Sequence, residues 1–209
     1  MMVISKFGIE LSLLQHSQLE LIRGWRNSDA VRGVFEYKKF ISKEDHLGWF
    51  SKLNPKNNFY FVFSYQDMPL GVVSIKDVDW DLRSGEAGIF LGDTIFVESP
   101  IPVVAVIVMM QWAFEVLELE DLYAKIFKEN DAAKKFNTAL GYQLMDGQDK
   151  LDFQRYRVSK ADFSGKVKNL VKSLVRAYGP EMIIKYDEDR NQTSTVRTGS
   201  NMTDWIEEK

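Results

Sequence analysis

Two acidic residues close one strand-like stretch of this chain and a third opens the next: Asp77 and Asp79, then Glu86. Carboxylates at neighbouring strand ends can take a proton from an incoming nucleophile, and each has a plainer use as a solvated strand terminus. Downstream, Ser99-Pro100-Ile101-Pro102-Val103-Val104-Ala105 opens a helix pattern. The first amides of a helix have no partner within it, so Val103, Val104 and Ala105 are candidates to hold an anion. Pro100 and Pro102 lack an N–H, which removes two donors, and no glycine lets a ligand approach the backbone closely. Asn130 precedes a second helix as an N-cap, and Asn137 lies further along it. An amide can hydrogen-bond but is far too weak an acid to donate a proton. Arg26 carries a planar fork of donors, and His46 an imidazole that can donate or accept a hydrogen bond.

Composition sets other chemistry aside. The chain has no cysteine, so disulfides, thiolate metal sites and cysteine nucleophiles are excluded, and a reducing cytoplasmic setting is expected. Its two histidines, His16 and His46, are far apart, so no metal site is expected. A net charge of −3 gives no electrostatic reason for nucleic acid or an anionic membrane as partner. The 209 residues suffice for one sizeable core with a short appendage. No basic segment, apolar run and small-residue cleavage site open the chain, so no signal peptide is expected. The apolar run at 101–117, interrupted by Gln111 and Glu115, is short for a membrane span of about 20 residues and reads as a buried helix.

The elements that position these residues follow from periodicity. An opening strand is expected at 3–11, a helix from Leu19 that ends near Arg26 and Asn27, a short helix at 29–35, and a capped helix after Ser42 and Asp45. Strands follow at 59–65, 72–78 (after a turn at 67–71) and 86–92, then the apolar helix, a strand at 122–128, and a second helix. A final strand pair is expected at 142–145 and 150–158. Beyond it, residues 163–178 space Val167, Leu170, Val171, Leu174 and Val175 as an amphipathic helix, followed by a short strand within 180–186. The polar stretch 187–209 reads as disordered.

In order, strand 86–92, apolar helix, strand 122–128, Asn130-Asp131-Ala132-Ala133 and Gly141-Tyr142 resemble the acyl-CoA half of the GNAT superfamily of N-acetyltransferases. The resemblance implies an α/β fold, with a mixed, centrally splayed sheet and helices on both faces. It covers residues 1–158; 159–186 read as a helix and short-strand extension and 187–209 as a tail. It also implies acetyl-CoA as co-substrate, contacted by Ile89, Phe90 and Leu91 on the splayed strand, by Val103, Val104 and Ala105, and by Asn130. Three positions depart from the superfamily pattern. The glycine-rich pyrophosphate loop is the proline segment above. The tyrosine that often protonates the leaving thiolate is Asn137. An aromatic tyrosine near the reacting centre is Phe90.

The N-terminal half narrows the relatives. Trp25-Arg26-Asn27, Phe40-Ile41-Ser42 with His46 and Trp49-Phe50, Leu70-Gly71-Val72-Val73-Ser74-Ile75, and Glu86-Ala87-Gly88-Ile89 resemble one branch. Its members acetylate the 4-amino group of UDP-linked amino sugars in the pseudaminic-acid pathway. The resemblance places Arg26 and His46 towards the nucleotide-sugar, with Asp77 also on the acceptor side. Glu86, or one of the aspartates Asp77 and Asp79 acting through water, is the expected base, and Asn137 a hydrogen-bond donor to the thiolate. The expectation is therefore a cytoplasmic N-acetyltransferase acting on the primary amine of a small molecule, a UDP-amino sugar, without nucleic acid or membrane partners; homo-oligomers are compatible with it. The alternatives are a GNAT-fold scaffold without acyl transfer, or an enzyme acting on a protein N-terminus or another small amine.

Overall fold

The computed structural model describes residues 1–33, 35–92, 96–187 and 193–197. Strands β1 (Met2–Lys6) and β2 (Ile9–Leu13) form an antiparallel hairpin. This corrects the single strand expected at 3–11. Phe7 and Gly8 both adopt positive φ (54° and 77°), the pair of left-handed residues that a tight hairpin turn needs. Phe7 stays 4% exposed even in the turn, so the apolar alternation runs through it and conceals the break.

Helices α1 (Leu19–Asn27), α2 (Asp29–Arg32) and α3 (Lys43–Ser51) follow. Ser28 caps α2, and Ser42 caps α3 by accepting from the Asp45 amide at 3.0 Å. Helix α2 stops at Arg32, short of the expected Phe35. Strands β3 (Phe59–Tyr65), β4 (Met68–Asp79) and β5 (Ser84–Leu91) continue the antiparallel run. The β3–β4 turn falls on Gln66 and Asp67, again both at positive φ, so Met68–Gly71 belongs to the strand and not to the turn.

Helix α4 (Ile101–Glu115) crosses over to β6 (Asp121–Phe127), which lies parallel to β5. After α5 (Asp131–Ala139) come β7 (Gln143–Leu144), β8 (Phe153–Ser159), α6 (Lys160–Tyr178), β9 (Ile183–Asp187) and β10 (Thr193–Arg197). The described strands make one sheet in the order β10-β9-β1-β2-β3-β4-β5-β6-β8-β7. Of the stretch 187–209 expected to be disordered, Asp187 ends β9 and Thr193–Arg197 pair with β9; the other residues lie outside the described residues.

Helix α4 is apolar on every side because it is enclosed on every side: from Val104 to Phe114 each residue is buried. Trp112 meets Phe59 and Phe61 edge-on at 5.2 Å each. Phe163 of α6 packs on Phe114 at 5.5 Å, which joins that helix to the same core. A second cluster, Leu14, Leu19, Ile22, Val62 and Val72, seats α1 and α3 on the opposite face. Among the described residues no helix is long and apolar enough to cross a membrane.

Candidate active site

Strands β5 and β6 share only three register pairs: Ser84 with Asp121, Gly85 with Leu122, and Glu86 with Tyr123. Beyond them β5 keeps pairing with β4 as far as Leu91, while β6 keeps pairing with β8 as far as Phe127. The sheet is therefore split in its middle, with the apex of the split at Glu86. Along a strand, the backbone groups of successive residues point to alternate sides. The Gly92 amide donates to the Leu70 carbonyl of β4 at 2.8 Å. By alternation Phe90 is committed to β4 as well, and beyond the last β5–β6 pair the amides of Ile89 and Leu91 face the gap. Ile89 and Leu91, and not Phe90, therefore present the donors expected on this strand. An extended ligand with its own amide groups fits such an edge.

At the start of α4 the donors are few. Pro100 occupies the cap and Pro102 the first turn, and the Val104 amide is spent on the Pro100 carbonyl at 3.1 Å. Ala105 sits where the regular helix ladder begins. Among the three amides expected there, Val103 alone has no carbonyl ahead of it within the helix, and Ile101 adds a second such donor. On α5, Asn130 caps the helix by accepting from the Ala133 amide at 3.0 Å. Asn137 donates one amide hydrogen to the Ala133 carbonyl at 2.8 Å, leaving the other hydrogen and its oxygen for a ligand.

The α1–α3 face of β5 carries a row of side chains with different chemistry. At the apex, Glu86 is ion-paired with Lys76 at 2.8 Å. Tyr60 lies close enough to feel both Asp77 and Glu86; burial first, then those carboxylates, push its hydroxyl up to about 12. That keeps it a neutral donor at ordinary pH. Asp77 itself is exposed on a β4 irregularity at φ 51°, its amide donating to Asn58 Oδ1 at 3.3 Å. Burial, helped by Glu86, pushes the Tyr142 hydroxyl well up too.

Further along β5 stands Arg26. Its guanidinium carbon lies 3.5 Å from the Phe35 ring centre and 5.9 Å from that of Phe90. Arg26 has no ion-pair partner among the described residues, Nη1 is buried without a hydrogen-bond acceptor, and burial lowers its affinity for its proton. Next to it Trp25 fills the space over Gly92: a Cβ there would come within 2.1 Å of the indole. Asn27 has a different task from Arg26, exchanging hydrogen bonds with the Ile41 backbone at 2.8 and 2.9 Å. The segment so anchored touches both sides of the split, through Phe35 on Phe90 and through Glu36 on Lys125 of β6 at 2.7 Å.

His46 is buried between α1 and α3, stacked on Trp49 at 5.2 Å, with Nδ1 lacking a partner. Burial holds its imidazole below the usual range against the opposing Leu19 carbonyl, and Arg23 and Arg26 act in the same direction as burial. The structure thus gathers Glu86, Asp77 and Tyr60 at the apex and Arg26 further along. Phe35, Tyr60 and Lys76 escaped sequence reasoning. Lys76 had a usable signal, since it falls on β4 directly opposite Glu86; Tyr60 lies one strand further, on β3.

A split parallel pair crossed by a buried apolar helix defines a class of protein. Residues 9–143 match the acetyltransferase (GNAT) domain, and the chain belongs to this family of acetyl-CoA-dependent N-acetyltransferases. It is similar to acetyltransferase PseH of Campylobacter jejuni, at 26% identity over 150 residues, covering 71% of this chain and 90% of the relative. Among solved structures, PseH in complex with acetyl coenzyme A aligns with a TM-score of 0.56 at 23% identity, over 73% of this chain and 99% of that one. Spermidine N-acetyltransferase from Vibrio cholerae, in complex with CoA and spermine, aligns with a TM-score of 0.66 at 15% identity, over 75% and 98%. Identities this low speak to the fold alone.

Proposed function

We propose that this enzyme acetylates the primary amine of a nucleotide-linked amino sugar destined for a surface glycan, within the cytoplasm. The observation that carries the reading is Arg26. An unneutralised, half-buried guanidinium fixed against two aromatic rings is suited to a phosphate. Phe90 stands four residues along β5 from Glu86, about 13 Å at strand spacing. That separation suits an acceptor carrying its amine at one end and its anionic group at the other. A polyamine would meet a cation there and be repelled. We take residues 1–158 as the unit that holds this chemistry, with 159–186 as an extension.

Acetyl-CoA supplies the activated thioester. The free amides of Ile89 and Leu91 line the gap where its carbonyl oxygen would gain charge, and donors placed there lower the barrier to acyl transfer. Glu86 takes the amine proton through water, with Lys76 compensating its charge before the transfer. Asn137 offers its remaining N–H to the departing sulfur, and solvent supplies the proton. Asp77 and the neutral Tyr60 hydroxyl order water at the apex. His46 supports Arg26 from behind through the α1–α3 packing.

The test is an acceptor panel: coenzyme A release measured with a UDP-linked 4-amino sugar, spermidine, and a peptide with a free N-terminus. The nucleotide-sugar should be the preferred acceptor. Turnover of spermidine or peptide with none of the UDP sugar would overturn the assignment while leaving acetyl-CoA chemistry intact.

A further inference from the structure

On the α4 face, away from the split, α4 and α6 leave a cavity of about 260 Å³. Phe114, Phe163 and Val171 give it apolar walls, and Lys168 and Lys172 stand one turn apart beside it. Gln111 also lines it, at 8% exposure, and its Oε1 has no hydrogen-bond donor among the described residues. A buried acceptor left in that state is destabilising, so a donor that reaches it is favoured. Neither lysine has an ion-pair partner among the described residues. The volume falls below the roughly 300–1,000 Å³ of small-molecule sites and suits a single large side chain.

We propose that this cavity receives Trp205 of the same chain, its indole N–H donating to Gln111 Oε1 and its acidic neighbours lying against Lys168 and Lys172. Residues 204–208 read Asp-Trp-Ile-Glu-Glu, one aromatic set among three carboxylates. An indole has a donor and no acceptor, which complements an amide oxygen that lacks a donor. The reach is sufficient. Arg197 pairs with Ile183 and Ile183 with Ser5, so Arg197 lies two strand spacings, about 10 Å, from Ser5. The next residue, Lys6, interacts electrostatically with Glu115 on the cavity wall. The eight residues from Arg197 to Trp205 span up to about 26 Å. Glu115 is the one carboxylate on that wall, and Lys6 offsets it.

Fluorine NMR of the full chain labelled with 5-fluorotryptophan tests this. The chain has five tryptophans, and the Trp205→Phe variant assigns the one of interest. Its resonance should lie away from that of a free peptide of residues 198–209. Combining Lys168→Glu with Lys172→Glu should move it to the free-peptide position, with the other four resonances unmoved as evidence of an intact fold. High salt should shift it the same way, because the lysines are exposed. A Trp205 resonance already at the free-peptide position, or one indifferent to the charge reversal, overturns the proposal. One whose displacement vanishes on dilution assigns the cavity to a second copy and overturns the intramolecular contact.

Discussion

The guanidinium carbon of Arg26 lies 3.5 Å from the centre of the Phe35 ring, with no carboxylate paired to it among the described residues. The contact fixes the cation without neutralising it. A salt bridge would hold the side chain as firmly and cancel the charge that a phosphate needs. Asn27 completes the device by tying the end of the Phe35 segment to α1.

In the proposed site, the proline segment limits the affinity for the co-substrate. Pro102→Ala restores one N–H in the first turn of α4 and keeps a good helix former in place. If the pyrophosphate docks there, the acetyl-CoA dissociation constant should fall roughly fivefold, since a hydrogen bond contributes about 1 kcal/mol. Titration calorimetry reads it directly. An unchanged constant would move the phosphates away from this helix start.

Asn137→Tyr places a weak acid where the superfamily often has one. General acid catalysis is worth about 10²–10⁴-fold in favourable cases; thiolate leaves readily, so roughly three- to tenfold in kcat is expected. Acceptor KM should not change. A kcat that stays the same would show that position 137 does not face the sulfur.

His46 makes stability depend on pH. Burial holds its folded imidazole below the unfolded value of about 6.5, so between the two values the unfolded chain binds the extra proton. Its contribution is complete above about pH 6.5 and is lost as pH falls through the depressed folded value. Denaturation midpoints at pH 7.5 and 5.5 should therefore separate less in His46→Phe than in the parent. An equal separation in both would refute this assignment.

Much of the fold was legible because its strongest signals are local. The run at 101–117 is too short for a membrane span and reads as a buried helix, and Ser42 with Asp45, and Asn130, announced their caps. The β1 hairpin was hidden because Phe7 keeps the apolar rhythm through a turn that only backbone φ reveals. Strand β10 was hidden because Thr193–Arg197 is polar and is defined by its pairing with β9. In the proposed site, Glu86 and Arg26 are the residues the sequence also singles out. That Phe35 holds Arg26, and that Ile89 and Leu91 rather than Phe90 face the gap, depends on a loop's path and a strand's register. Neither has a local signature.

The most direct measurement is a steady-state comparison of the parent and Arg26→Ala with a UDP-linked 4-amino sugar, alongside acetyl-CoA titration of both. A charge-assisted bond to phosphate contributes about 1.5–3 kcal/mol, so acceptor KM should rise roughly ten- to hundredfold, with the acetyl-CoA dissociation constant unchanged. If Arg26→Ala acetylates the UDP-amino sugar with the KM of the parent, Arg26 does not hold the phosphates and the nucleotide-sugar reading fails.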